Sequence, residues 1–313
     1  MTRIEALEDR RLMAGGGSWA SDVNGDWSDA TKWSGNNIPF GLGAAVVFNL
    51  DITATRTVTL DTARTIGNLE FRDTTPSNNW VIGGSQVLTL NPGLTVSTAP
   101  TIEVIDTVAT IQPVVAGTKG ITVLRTGSAG QVTLSGNNTY SGLTTVGVSG
   151  TSVTLRIEHG NALGASGAAD KTVVTNTSRV QLAGGINTPE NFDIVGTGTS
   201  GAINNSAGSN DVSGLVTLTG NASVGGGAGV GNLLRFRGGV DTGGFLFTVS
   251  GTGDFKVDSA PISGTGGLTK AGGGKLTLGD VNTYSGVTTI AGGMLEVQNR
   301  EALGSTAGGV VVT

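Results

Sequence analysis

Short stretches in which apolar and polar residues alternate recur along most of the chain. In Val216–Thr219 and Lys275–Leu278 the alternation has a period of two, which predicts β-strands with one buried and one solvated face. Comparable pieces return about every 10 to 12 residues, as expected for short strands separated by turns. They include Val153–Ile157, Thr172–Thr175, Arg179–Leu182, Phe192–Val195, Leu215–Leu218, Leu233–Phe236, Phe245–Val249 and Phe255–Val257.

One long phrase occurs twice. VTLSGNNTYSGLTTV begins at Val132 and LTLGDVNTYSGVTTI begins at Leu276, so Tyr140 and Tyr284 are 144 residues apart (284 − 140). Farther on, Ala162–Gly164 matches Ala302–Gly304 at an offset of 140, which places four extra residues of the first copy within 147–153. Repetition of this kind is typical of stacked coils, which tolerate insertions at their corners.

Two closed all-β architectures accommodate such strands, a sandwich or barrel and a solenoid. A sandwich needs hairpins and antiparallel neighbours, whereas short, evenly spaced strands with a returning phrase favour a solenoid. We therefore predict a parallel β-helix with an N-terminal cap. At about 4.8 Å per coil, roughly 10 to 13 coils would form a rod of about 50 to 60 Å.

The composition suits this fold and excludes several functions. Gly accounts for 54 of 313 residues, charged residues for 13 % and aromatic residues for 4 %. Gly and Asn tolerate the left-handed conformations that turns need. The chain has no cysteine and a net charge of −5 without a basic cluster, so we expect neither thiol chemistry, nor cysteine metal sites, nor nucleic-acid binding. No apolar run is long enough for a membrane span.

The segment Gly264–Gly304 resembles the autotransporter-associated β-strand repeat, also called the passenger-associated transport repeat. It contains the Gly-Gly-Leu-Thr-Lys, Leu-Thr-Leu, Asn-Thr-Tyr-x-Gly-x-Thr and Ala-Leu-Gly elements of that pattern. The first copy, Thr118–Gly164, differs mainly in having Val123–Arg125 where the second has Thr269–Ala271. The resemblance implies a right-handed parallel β-helix in a protein exported to the cell surface or beyond, associated with the outer membrane in autotransporters. The resemblance implies no catalytic, metal-binding or cofactor-binding residues, and we predict none.

The predicted organisation has three parts: a leader at 1–14, a Trp-containing cap with the first coils at 15–115, and the repeat-bearing β-helix at 116–313, with repeats at 118–164 and 264–304. The leader is either a frayed amphipathic helix or a sorting tag. Its stretch Glu5–Gly15 resembles a leader motif of LEPRxLL type, with Asp9 where that motif has Pro. Because the chain stops inside an expected strand, Val310–Thr313, we expect a piece of a longer passenger or a shortened relative.

All four tryptophans lie in the first 80 residues, at Trp19, Trp27, Trp33 and Trp80. They predict either a cap over the apolar end of the solenoid, which we favour, or an exposed platform on which sugar rings stack. Nearby residues are spaced like the first ligands of a calcium loop. That loop needs Gly at its sixth position and Glu at its twelfth, where Trp27 and Trp33 stand, so we reject calcium binding. The spaced residues are Asp22, Asn24, Asp26 and Ser28.

The remaining polar candidates have simple structural interpretations. His159, the only histidine, aligns with Asn299 of the second copy and is expected in a turn. Arg235 and Arg237 alternate with Phe236 and are expected on the solvated face of a strand. A polysaccharide hydrolase would need paired carboxylates, and the candidates are scattered singly, so we expect solvated surface charges. These candidates are Asp193, Asp211, Asp241, Asp254 and Asp258.

Three hypotheses follow, in order of preference. The first is a non-catalytic extracellular or cell-surface stalk for display or adhesion. The second is a glycan-binding module that uses the Trp-rich region, and the third is a polysaccharide hydrolase or lyase. The expected partners are surface glycans or other cell-surface proteins.

Overall fold

The computed structural model of the chain describes residues 15–75, 77–93, 98–148, 150–175, 177–197, 200–227, 229 and 231–313. The predicted leader helix at 1–14 lies outside the described residues. Within them, no helix is long and apolar enough to cross a membrane. The two helical segments described are 3₁₀ turns, Ala30–Lys32 and Ser34–Asn36.

The rest of the regular structure consists of short strands. The first sixteen are β1 (Gly17–Ser18), β2 (Gly25–Asp26), β3 (Ala45–Phe48), β4 (Arg56–Thr59), β5 (Arg64–Ile66), β6 (Asn68–Arg72), β7 (Trp80–Gly83), β8 (Leu88–Leu90), β9 (Thr101–Ile105), β10 (Val108–Ile111), β11 (Val115–Ala116), β12 (Ile121–Arg125), β13 (Gln131–Leu134), β14 (Thr144–Val146), β15 (Thr154–Ile157) and β16 (Thr172–Val174). The others are β17 (Arg179–Ala183), β18 (Asn187–Thr188), β19 (Phe192–Gly196), β20 (Ile203–Ala207), β21 (Ser209–Val212), β22 (Val216–Gly226), β23 (Leu233–Phe236), β24 (Val240–Asp241), β25 (Phe247–Val249), β26 (Asp254–Val257), β27 (Ile262–Ser263), β28 (Leu268–Lys270), β29 (Lys275–Leu278), β30 (Thr288–Ile290), β31 (Met294–Val297) and β32 (Val310–Val312).

These strands pair in parallel and form three ladders along one axis. The first ladder runs through β1, β3, β6, β9, β12, β14, β16, β19, the first half of β22, β24 and β27. The second runs through β2, β4, β7, β10, β13, β15, β17, β20, the second half of β22, β25, β28, β30 and β32. The third has two parts, β5–β8–β11 and β18–β21–β23–β26–β29–β31.

The result is the predicted all-β parallel solenoid, with about 11 turns. The strands before Val115 belong to the same ladders as the later ones, because β9 pairs with β12 and β10 with β13. The number of residues per coil varies widely. Register partners are 19 residues apart between Lys275 and Met294 (294 − 275) and 33 apart between Gly25 and Val58 (58 − 25). The right-handed sense stays a prediction.

The alternation seen in the sequence sorts residues between the inside and the outside of the coil. In β22, Val216 and Leu218 are buried and Thr217 between them is half-buried. The inward side chains of successive coils form one continuous core, which includes six phenylalanines that are almost fully buried. Burial of this apolar surface stabilises each coil only through its neighbours, as in other repeat folds.

Asparagine side chains, some at the corners and some within strands, join neighbouring coils. In each case the side-chain oxygen accepts a hydrogen bond from a backbone N–H of the coil above or below. The amide oxygens thereby satisfy backbone donors of the adjacent coil. The residues are Asn24, Asn68, Asn138, Asn191, Asn210, Asn221, Asn232 and Asn282.

Candidate functional site

The first copy of the repeated phrase connects three successive coils through one buried side chain. The amide of Asn138 is 3 % exposed. Its Oδ1 accepts a hydrogen bond from the N–H of Val115 at 2.8 Å, and its Nδ2 donates to the carbonyl of Ala162 at 2.6 Å. The backbone N–H of Thr139 also donates to Val115 O at 2.9 Å. Asn138 therefore bridges the coil below and the coil above, an arrangement called here the asparagine clamp.

The second copy has the same clamp. Asn282 is 4 % exposed; its Oδ1 accepts from the N–H of Ile262 at 2.6 Å and its Nδ2 donates to the carbonyl of Ala302 at 2.6 Å. The N–H of Thr283 donates to Ile262 O at 2.9 Å. The Asn of Asn-Thr-Tyr and the Ala of Ala-Leu-Gly thus form one contact, about 20 residues apart in the chain and on adjacent coils in space.

The tyrosine and the last glycine of the phrase complete this unit. Tyr140 OH lies 2.9 Å from Thr144 Oγ1, and Tyr284 OH lies 2.6 Å from Thr288 Oγ1, with both rings buried. Gly304 has φ 75°, and a Cβ there would lie 2.3 Å from Tyr284 O. Gly164 has φ 79° and the same clearance from Tyr140 O. Only glycine combines this left-handed conformation with so close an approach.

Each clamp stands where a ladder lacks strands. Among the described residues the third ladder has no strand between β11 and β18, and Asn138 accepts a hydrogen bond from the N–H of Val115 in β11. The first ladder has its last described strand at β27, and Asn282 binds Ile262 of that strand. The two copies therefore lie on different faces of the solenoid. Coil length varies, so their 144-residue separation is not a whole number of turns.

The tryptophans of the N-terminal region are buried. Trp19, Trp27 and Trp33 are at most 2 % exposed and surround Phe48, with ring centroids 6.0 to 6.5 Å from it. Trp33 Nε1 donates to Trp27 O at 2.8 Å. Trp80, 1 % exposed, lies 5.3 Å from Phe48. The alternative of an exposed sugar-stacking platform is wrong for these rings, because their faces pack against one another and the core.

The residues that are spaced like the ligands of a calcium loop form hydrogen bonds with different partners. Asp22 pairs with Arg56 at 2.5 Å and with Thr53, and these hydrogen bonds lower the pKa of Asp22 to about 2. Asn24 accepts from Thr57 N–H, and Ser28 binds Asp61. In the part of the chain that the structure describes, no three His, Cys, Asp or Glu side chains converge on a metal position.

His159 lies in a turn, as predicted. Its Nδ1 accepts a hydrogen bond from the N–H of Asn161 at 3.0 Å. In the second copy, Asn299 Oδ1 accepts from the N–H of Glu301 at 2.9 Å. The two aligned side chains therefore have the same local role, and the imidazole serves as a turn acceptor.

The scattered carboxylates occupy outward positions and most pair with cations. Asp193 pairs with Lys171, Asp211 with Arg235 and Arg237, and Asp258 with Lys256 and, at 3.9 Å, Arg235. Asp241 and Asp254 accept backbone N–H groups. Arg235 and Arg237 flank the buried Phe236 on the solvated face, as predicted. Lys256 and Asp258 lie on one coil, whereas the other pairs connect neighbouring coils. Partly exposed pairs of this kind each contribute about 0 to 1 kcal/mol.

Three buried acidic or basic side chains were not predicted: Asp73, which is 1 % exposed and accepts the backbone N–H groups of Ile52, Ser77 and Asn78, and Glu190 and Lys270. Glu190 is 1 % exposed, with Oε1 accepting from Thr172 Oγ1 at 2.8 Å, and burial raises its pKa to about 8. Lys270 is 0 % exposed, burial lowers its pKa, and its Nζ donates to the carbonyls of Ala271, Gly272 and Gly292 at 2.6 to 3.3 Å. Strand β28 has the burial pattern of the first three residues of β12, so Lys270 occupies the inward position that Val123 has in β12.

Comparison with known proteins identifies the repeated segments. The family model described as passenger-associated-transport-repeat matches residues 126–151 and 268–297. A curated relative, the adhesin BmaC autotransporter of Brucella suis biovar 1 (strain 1330), is 44 % identical over 73 residues, which are 22 % of this chain and 2 % of the adhesin. No solved structure matches the chain. The chain thus carries two passenger-associated transport repeats on a parallel β-solenoid and is similar to a small part of an autotransporter adhesin.

Proposed function

We propose that the chain is a non-catalytic, surface-exposed or secreted shaft that holds an adhesive surface away from the cell. The observation that carries this proposal is the continuous parallel stack in which transport repeats replace missing strands with asparagine clamps. A stack of about 11 turns presents long, regular outward faces for contact. The similarity to part of an autotransporter adhesin supports an adhesive role at the cell surface or outside it.

We further propose that the tryptophan cluster closes the N-terminal end of the shaft. Trp19, Trp27 and Trp33 lie on the first described coil and its 3₁₀ turns, with their rings packed on Phe48 of the next coil. A solenoid end otherwise exposes apolar core to water. In this role the indoles stabilise the fold and bind no ligand.

A polysaccharide hydrolase or lyase is less well supported. Asp211 and Asp258 share Arg235 between them, and this pairing with cations favours a structural role over acid–base catalysis. Glu190 is the one described carboxyl group whose burial raises its pKa to about 8, and it lies inside the coil rather than in an open cleft.

The proposal is tested with the purified chain attached through one terminus to fluorescent beads. The beads are applied to panels of cell monolayers, matrix proteins and immobilised glycans. We expect saturable binding to at least one surface, and free folded chain should compete with it. Beads that carry chain unfolded in urea, and prevented from refolding, should not bind. Equal retention of folded and unfolded chain, or no retention above bare beads, would contradict an adhesive role.

A further inference from the structure

An open cleft of about 300 Å³ lies on the outward face of the third ladder. Four successive coils contribute to it, through β23, β26, β29 and the residue after β31. The lining side chains used below are Asn232, Leu233, Asp254, Lys256, Lys275, Thr277 and Gln298.

The strand register arranges five of these side chains in two columns. Leu233 of β23 pairs with Asp254 of β26. The register between β26 and β29 then places Lys275 beside Asp254 on the next coil. Lys256 pairs with Thr277, which is 5 % exposed and forms part of the floor. Neighbouring members of a column are therefore one coil apart, about 4.8 Å.

Both lysines of the cleft are already neutralised. Lys256 Nζ lies 3.0 Å from Asp258 Oδ2, and Lys275 Nζ donates to Glu296 Oε2 at 2.8 Å. The Asp254 carboxylate accepts from the N–H of Lys275 at 3.3 Å. An anionic ligand would have to displace a carboxylate from each ammonium group, whereas an uncharged ligand leaves these pairs intact.

The backbone of the cleft floor is also fully engaged. Strand β26 is paired on one side with β23 and on the other with β29. A peptide cannot add to this surface as an extra strand, because that mode of recognition needs a free strand edge. Recognition in the cleft therefore depends on side chains.

We propose that this cleft binds a short segment of a neutral oligosaccharide, an inference that rests on the adhesive function proposed above. Sugar hydroxyls both donate and accept hydrogen bonds. The cleft offers ammonium and amide donors beside carboxylate, amide and hydroxyl acceptors, repeated at the coil spacing. Half-buried Leu233 supplies an apolar contact for the C–H face of a sugar ring. The volume is at the lower end of the range for ligand pockets, which matches one or two sugar units.

The test compares two double variants of the full chain. Asp254→Ala with Gln298→Ala removes an acceptor and an amide from exposed positions of the cleft. Asp241→Ala with Gln181→Ala removes the same two side chains from the outward faces of the first and second ladders, where Asp241 likewise accepts one backbone N–H. Circular dichroism and urea unfolding verify that both variants fold as the wild type does.

The probes are immobilised neutral and acidic oligosaccharides of two to four units. We expect wild type and the Asp241/Gln181 variant to bind neutral probes equally, and the Asp254/Gln298 variant to bind them at least about tenfold more weakly. Binding should persist at about 0.5 M salt, where exposed charge attraction is screened. Binding confined to acidic probes, equal binding by both variants, or no binding to any probe would overturn the assignment. If bead adhesion to cells survives in the Asp254/Gln298 variant, the adhesive function stands and the cleft is not its site.

Discussion

The asparagine clamp of the first repeat can be removed by one substitution, Asn138→Ala. The change leaves the N–H of Val115 and the carbonyl of Ala162 without their side-chain partner, and both residues are 0 % exposed. Each buried backbone group left unpaired costs about 1 to 3 kcal/mol, so the loss of two partners should lower the local free energy of opening by about 2 to 6 kcal/mol. The matched control is Asn191→Ala, which removes one hydrogen bond to Leu215 N–H at a half-buried corner. It should cost about 1 kcal/mol.

Native-state hydrogen exchange measures this effect where it should occur. The coils of a solenoid interact with their neighbours only, so the loss should appear first in β11 and in the turn around Ala162 rather than uniformly. We expect the Val115 amide to lose most of its protection in Asn138→Ala while β28 and β29 keep theirs. Unchanged protection at Val115, or a loss no larger than in the Asn191→Ala control, would refute the idea that the clamp replaces the missing strands.

Three further predictions concern the core. At pH values between the ordinary pKa of 4.5 and the raised pKa of about 8, Glu190 is protonated in the folded chain but ionised in the unfolded chain. Because the folded state then binds the extra proton, the free energy of unfolding should fall by about 3 to 5 kcal/mol as pH rises from about 5 to 8. Urea titrations should show this slope in wild type and not in Glu190→Gln; parallel slopes would be inconsistent with the buried carboxyl. Trp33→Ala should destabilise the N-terminal coils by about 3 to 5 kcal/mol, measured by urea unfolding with tryptophan fluorescence as the signal. A loss below about 1 kcal/mol would argue against the cap. Gly304→Ala forces a Cβ against Tyr284 O and should lower the thermal midpoint, whereas the exposed and uncrowded Gly231→Ala should lower it less; an equal effect would mean that the close approach is unimportant.

The sequence predicts the architecture because its signals are local. Alternating strands, Gly- and Asn-rich corners and the returned phrase are each visible without knowing the fold, and the structure places them in the expected parallel coils. For the same reason, the sequence could predict the burial of Trp27 and Trp33, which the cap interpretation requires, and the position of His159 in a turn.

Other features depend on distant contacts and were not predicted. The two repeats lie on different faces because the coils between them differ in length, which no local pattern records. The inward orientation of Glu190 follows from a corner, where the period of two no longer applies. Asn138 and Asn282 were visible as shared residues of the repeat, yet their partners, about 20 residues away on both sides, emerge only once the coils are stacked.

The central claim, a shaft that holds a partner without chemically changing it, is tested most directly by measuring retention and turnover together. The folded chain is immobilised, loaded with a broad panel of polysaccharides and oligosaccharides, and eluted after increasing times for mass analysis. The account predicts that every retained saccharide elutes with its starting mass. Time-dependent appearance of shorter or unsaturated products, abolished by substitution of a single carboxylate such as Asp254, would contradict it.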